Sequence, residues 1–216
     1  MGEGEGTANP EAVVLLHGLW FAGWTQTLLA RRLRRRGFTP HSFSYPSVRL
    51  DLEENAAALH AFASRLRAPA VHFVGHSLGG VVIRALFHHH PDRPPGRIVT
   101  LGSPHGGSHP GRVLSRGRLG RRVVGRSVGD LVEGVPSSWT PPDREIGLVV
   151  GLRSFGIGRL VPGLPRPNDG VVARSEAGWA AASDVLELPV PHTGMLVSAA
   201  VASQVVHFLE RGRFAR

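Results

Sequence analysis

The chain of 216 residues contains no cysteine and no lysine. Without cysteine there is no disulfide, no thiolate metal site and no cysteine nucleophile, so packing alone must supply stability. Without lysine, all 25 basic residues are arginine, and they outnumber 16 acidic ones for a formal charge of +9. A uniform choice of arginine follows genomic base composition. Nucleic-acid binders instead cluster basic residues on one element beside aromatic or helix-turn-helix features, so no nucleic-acid partner is expected. Such a field still favours approach to an anionic lipid surface or an acidic partner.

Long apolar runs are missing too. Stretches such as 13–16 and 81–83 fall far below the roughly 18 to 20 residues of a membrane span, so no transmembrane segment is expected. The first ten residues, rich in Gly and Glu, have neither the basic start nor the apolar core of a secretory signal. They read as a flexible tail, and residues 11–216 as one domain, soluble and cytoplasmic. An apolar fraction of 42% and a charged fraction of 19% suit an ordinary globular protein.

Apolar periodicity gives an alternating order. Residues 12–16 form a continuous apolar run ending at His17-Gly18, as a buried strand meeting a turn does. Residues 23–36 carry Trp24, Leu28, Leu29 and Leu33 at helical spacing, with arginines mostly on the other face and Gly37 as the stop. A strand at 38–45 follows. Asp51 opens an amphipathic helix through Leu66, with acids in its first turn where the helix dipole favours them. A strand at 70–74, a helix at 78–90 and a strand at 98–101 come next. After a polar segment, 102–144, there are strands at 146–152 and near 185–190, and a closing helix at 193–211. Such alternation predicts an α/β fold with a mainly parallel sheet and helices on both faces. Ligands in such sheets bind beyond the carboxyl ends of the strands.

The most specific motif is Gly75-His76-Ser77-Leu78-Gly79-Gly80, placed between a strand and a helix. It matches G-x-S-x-G in the context that gives the pattern meaning; a bare match in a loop would say little. The serine must occupy a strained turn, and small residues on either side let neighbouring backbone pass. Ser77 is therefore the candidate nucleophile. The Leu78 amide, at the start of a helix, is a candidate oxyanion donor.

With this elbow, the segments Leu15-Leu16-His17-Gly18-Leu19-Trp20, Leu101-Gly102-Ser103-Pro104-His105-Gly106-Gly107-Ser108, Asn168-Asp169-Gly170-Val171-Val172 and Pro191-His192-Thr193-Gly194 follow in an informative order. The chain from Val13 to about Phe214 thus resembles the bacterial lipase and esterase branch of the α/β-hydrolase superfamily. The resemblance implies a serine hydrolase acting on carboxylic esters, with the nucleophile, acid and histidine in that order along the chain. Among the 12 histidines, His192 alone lies between the last expected strand and the last helix, where that order puts the base. His207 is its rival but falls within the closing helix. Asp169 follows the preceding strand and is the candidate acid, although Asn-Asp-Gly is also a good turn by itself. The resemblance implies the second oxyanion donor at Leu19, while His17 is expected to order that loop.

His17, Gly18, Trp20 and Phe21 are grouped as candidate substrate contacts, with Leu160 and Val161 as further apolar wall. Residues 108–144 stand where such hydrolases insert a lid or cap, and here that insertion is short. Its Arg112, Arg116, Arg118, Arg121, Arg122 and Arg126 alternate with Val113, Leu114, Leu119, Val123 and Val124. This pattern suits a solvated face or a peripheral contact with an anionic lipid surface. Lipases of this kind often hold calcium near the acid and histidine loops, but residues 188–198 contain no carboxylate, and no metal or other cofactor is expected. A small-molecule or lipid ester is the expected substrate. A thioesterase, amidase or acyltransferase would use the same residues, and a non-catalytic binding protein of this fold is the remaining alternative.

Overall fold

The computed structural model describes residues 10–156 and 161–216. The expected tail, Pro10 apart, and the proposed wall residue Leu160 lie outside the described residues. Six strands form one parallel sheet in the order β2-β1-β3-β4-β5-β6. They are β1 (Ala12–Leu16), β2 (Thr39–Phe43), β3 (Val71–His76), β4 (Ile98–Leu101), β5 (Ile146–Gly151) and β6 (Asp184–Leu188).

Alternation along each strand divides the core between the two faces of the sheet. Val14, Leu16 and Phe73 point to one face and pack under α2 (Leu52–Ala63) and α3 (Leu78–His89). Val13, Leu15, Val74 and Val99 point to the other, under α1 (Thr27–Arg34) and α8 (Ala199–Arg211). Strands covered on both sides become continuous apolar runs, which is why β1 reads Ala-Val-Val-Leu-Leu. Truncating Leu15 or Leu16, both fully buried, would cost about 2 to 5 kcal/mol.

Helix ends follow local chemistry. Asp51 caps α2 by accepting the Glu54 amide at 2.8 Å, while Glu54 accepts the Asp51 amide at 3.0 Å. Three helices are shorter than periodicity implied, α2 ending at Ala63 and not at Leu66. Residues 23–26 form a 3-10 turn before α1, and the expected closing helix splits into a 3-10 turn at Thr193–Leu196 and α8, which Ser198 caps through the Val201 amide. No helix among the described residues is long and apolar enough to cross a membrane.

The segment after β4 contains three short helices, α4 (His109–Leu114), α5 (Arg118–Val124) and α6 (Arg126–Glu133). It is bound to the start of α2. Asp130 accepts the Leu52 amide at 2.9 Å, Asn55 donates to the Ser127 hydroxyl at 3.0 Å, and Arg126 pairs with Asp51 and Glu54. Farther along, α7 (Arg174–Ala177) lies between β5 and β6.

Strand order reverses between β1 and β3. The chain leaves β1 outward to β2, then returns to β3 on the other side and continues outward. The loops beyond Leu16 and His76 therefore separate and leave a crevice at the carboxyl edge.

Candidate active site

Ser77 follows β3 directly and has φ 54° and ψ −124°. This is a costly conformation for a non-glycine residue, of order 1 to 3 kcal/mol. The turn is held by the Ser77 amide donating to Leu101 O at 2.9 Å and by the approach of α3 to the sheet. That approach needs glycine. A Cβ at Gly75 would lie 2.5 Å from the Gly80 amide nitrogen, and one at Gly79 would lie 2.7 Å from the carbonyl oxygens of both Leu16 and His17.

His192 and Asp169 come from the loops beyond β6 and β5. The His192 Nδ1–H donates to Asp169 Oδ2 at 2.7 Å, and both side chains are buried. The other carboxylate oxygen accepts the amides of Val171 at 2.9 Å and Val172 at 2.7 Å, while the His192 amide donates to Asp169 O at 2.8 Å. The carboxylate thus accepts at both oxygens and its backbone is clamped to the histidine. With Nδ1 as the donor, Nε2 keeps its lone pair. Ser77 and His192 line the same cavity. In this structure no hydrogen bond joins the hydroxyl to the imidazole.

No protein acceptor among the described residues engages the amides of Leu19 and Leu78, both of which line the cavity with Ser77. The Leu19 loop is ordered by His17. Its Nδ1–H donates to Gly18 O at 2.8 Å, its Nε2 accepts the Tyr45 amide at 3.2 Å, and the two rings stack with centroids 4.4 Å apart. Burial lowers the His17 pKa, which suits a neutral ring used as both donor and acceptor. Trp20, at φ 62°, donates its indole N–H to Val123 O at 2.8 Å and thereby joins this loop to α5.

The cavity measures about 590 Å³. Leu19, Trp20, Phe21 and Val161 line it as expected, and Leu114, Val124, Val128 and Leu131 add a wall from the 108–144 segment. Among the described lining residues, His192 is the only titratable side chain. His17 and Gly18, grouped with the substrate contacts from sequence, do not line it. His17 is turned into the fold against Tyr45, and Gly18 lets the loop pass Ser77, since a Cβ there would stand 2.9 Å from the Ser77 Cβ. His207 lies in α8, away from this cavity.

Sequence reading missed two buried groups. His76 donates from Nε2 to His192 O at 3.1 Å, with ring centroids 4.6 Å apart. Burial, reinforced by the neighbouring His192, pulls its pKa down to about 3, so it supports the His192 loop as a neutral ring. Glu176 accepts the amides of His109 and, at 3.0 Å, Ala173, and pairs with Arg112 at 3.3 Å. It welds α4 to the loop carrying Asp169. The only available signal was a carboxylate three residues after a helix start, too common to single out. Among the described residues no cluster of three His, Asp or Glu side chains is arranged to hold a metal ion.

The model of a family described as the alpha/beta hydrolase family matches residues 13–211. No curated protein has a matching sequence. Among solved structures, the mature form of the lipase BlEst2 from Bacillus licheniformis superposes with a TM-score of 0.77 at 20% identity, covering 95% of this chain and 93% of that one. The metagenomic carboxyl esterase MGS0156 gives 0.67 at 17% identity, over 86% of this chain and 65% of that one. A pyrethroid hydrolase from Sphingobium faniae JZ-2 gives 0.56 at 17%, over 93% and 98%.

Proposed function

The chain belongs to the alpha/beta hydrolase family, and on that premise we propose that it hydrolyses carboxylic esters through an acyl-enzyme on Ser77. The observation that carries this reading is the buried Asp169–His192 pair, 2.7 Å apart, whose histidine lines the same apolar cavity as a serine with φ 54°. A serine hydroxyl becomes an effective nucleophile when a base removes its proton. His192 Nε2 is the atom left free to do so, because Asp169 holds Nδ1–H.

In the proposed reaction the Ser77 oxygen attacks the ester carbonyl carbon as its proton passes to His192 Nε2. The carbonyl oxygen becomes an oxyanion facing the Leu19 and Leu78 amides, and Asp169 stabilises the imidazolium. Collapse expels the alcohol with the proton from His192, leaving the acyl group on Ser77. Water activated by the same imidazole releases the acid. The missing hydroxyl–imidazole hydrogen bond is compatible with this sequence, because such contacts are commonly loose without substrate and tighten when it binds.

Cavity chemistry supports the substrate class. A charged acyl group would lose its hydration against Leu, Val and Phe walls without a partner, whereas an uncharged acyl chain gains about 25 cal/mol for each Å² it buries. Segment 108–144 serves as a roof over this acyl site, and residues 11–216 act as one catalytic domain. The test is hydrolysis of p-nitrophenyl esters of increasing acyl length, with fluorophosphonate labelling of Ser77. The Ser77→Ala protein should lose about 10⁴-fold or more in kcat and all labelling. A folded Ser77→Ala protein with undiminished turnover would refute the assignment.

A further inference from the structure

The outer face of the 108–133 segment has no role in the chemistry above, yet it is chemically distinctive. A hollow of about 1150 Å³ opens there, lined by Arg49, Arg118, Arg121, Arg122 and Arg126, with Glu133 as the opposing charge. Arg126 is paired with Asp51 and Glu54. Arg49, Arg118, Arg121 and Arg122 are exposed and meet no carboxylate among the described residues. Between them Leu119 is 76% exposed and Val123 46%. Hydrated guanidinium groups thus surround a small exposed apolar pair four residues apart on α5, a basic amphipathic pattern.

We propose that this face is a docking site for an anionic lipid surface. Guanidinium groups bind phosphate through two parallel hydrogen bonds and are less strongly hydrated than ammonium groups. Lipid headgroups at an interface present such phosphates in an array, with apolar chains a few ångströms deeper to receive Leu119 and Val123. The leucine selects this occupant. A nucleic acid or a soluble polyanion matches the arginines equally well but gives nothing to an apolar side chain standing between them.

Placement supports the same partner. Val124, next to exposed Val123, is buried on the wall of the Ser77 cavity, and Trp20 both lines that cavity and donates its indole N–H to Val123 O. The basic face and the proposed acyl site are thus two sides of one short helix, α5. The proposal rests on the esterase reading for its purpose, which is to hold the enzyme where apolar esters accumulate, while its test does not depend on hydrolysis.

Cosedimentation of the full chain with vesicles decides it. Equimolar phosphatidylcholine and phosphatidylglycerol vesicles should bind the protein, pure phosphatidylcholine vesicles should not, and salt at about 0.5 M should weaken binding. Joint Arg118→Ala, Arg121→Ala and Arg122→Ala substitution should reduce partitioning about a hundredfold, and Leu119→Ser about tenfold. Both should leave turnover of a dissolved short ester unchanged, which also shows that they fold. An equal charge removal at the end of α1, Arg31→Ala with Arg34→Ala and the capping Arg35→Ala, should cost far less. Vesicle binding that ignores lipid charge, survives the α5 substitutions, or falls equally with the α1 set would overturn the docking site. So would binding to a DNA duplex as tight as to the anionic vesicles and indifferent to Leu119→Ser. A wild-type protein that binds vesicles as described but hydrolyses no ester would refute the esterase reading alone.

Discussion

Replacing Asp169 by Asn isolates the feature on which the proposed mechanism depends. The carboxylate accepts the Val171 and Val172 amides at Oδ1 and the His192 Nδ1–H at Oδ2. Asparagine keeps the size and can keep its oxygen on the two amides. Its NH₂ group then faces His192 Nδ1, and two donors cannot share that contact. The imidazole must move its proton to Nε2, where it opposes the Ser77 hydroxyl instead of accepting from it. The His192 amide remains held by Asp169 O at 2.8 Å, so the loop should stay in place while the tautomer changes. Loss of the base and of the imidazolium's counter-charge together predict about a 10⁴-fold fall in kcat, or about 5 to 6 kcal/mol of transition-state stabilisation. Initial rates on a p-nitrophenyl ester near neutral pH, with a urea titration to verify folding, measure this. An Asp169→Asn protein within tenfold of wild type would refute the proposed role of the carboxylate.

Gly79→Ala would place a methyl group 2.7 Å from the carbonyl oxygens of Leu16 and His17. Because backbone cannot rotate away as a side chain can, a loss of about 1 to 3 kcal/mol or more in urea denaturation is expected, and a wild-type midpoint would show that α3 does not sit so close. Acid should also weaken the fold. Burial lowers His76 and His105 from 6.5 to about 3, so between those values the unfolded chain binds protons that the folded chain refuses, and stability falls as pH drops below about 6.5. At pH 5 each group contributes a loss of about 2 kcal/mol, with lowered His17 and His72 acting in the same direction. Urea titrations at pH 7 and 5 test this, and a His105→Asn protein should lose about 2 kcal/mol less than wild type over that interval.

The elbow was legible because its requirements are local. A buried strand, three glycines and a helix within about a dozen residues state where Ser77 must turn, and the contacts of Gly75 and Gly79 give the steric reason. The parallel sheet was legible for a similar reason, since strands covered on both faces leave continuous apolar runs such as β1 and β5. Asp169 and His192 were different. They lie 2.7 Å apart in space but on separate loops, and family order, not periodicity, singled them out. The short helices of the segment after β4 could not be read. With six to eight residues each, divided by Gly117, Gly125 and Gly134, they make about two turns and leave no repeating apolar stripe. His76 and Glu176 were hidden because their importance lies in partners distant along the chain.

Those hidden partners bear on how substrate reaches Ser77. The proposed roof, segment 108–144, is tied down twice, by α6 to α2 and by Glu176 to α4. Swinging it away would break several hydrogen bonds, each worth about 0.5 to 1.5 kcal/mol net and more where charged, and would expose Val124, Val128 and Leu131, all buried on or beside the cavity wall. Trp20 and Phe155 line the same cavity yet are about half or more exposed, so the cavity meets solvent between the loop beyond β1 and the loop beyond β5. Entry there requires neither set of contacts to break. A lipid surface held by α5 would therefore act by concentrating substrate at an open mouth, with the arginines outside and Val124 inside serving different steps from one short helix.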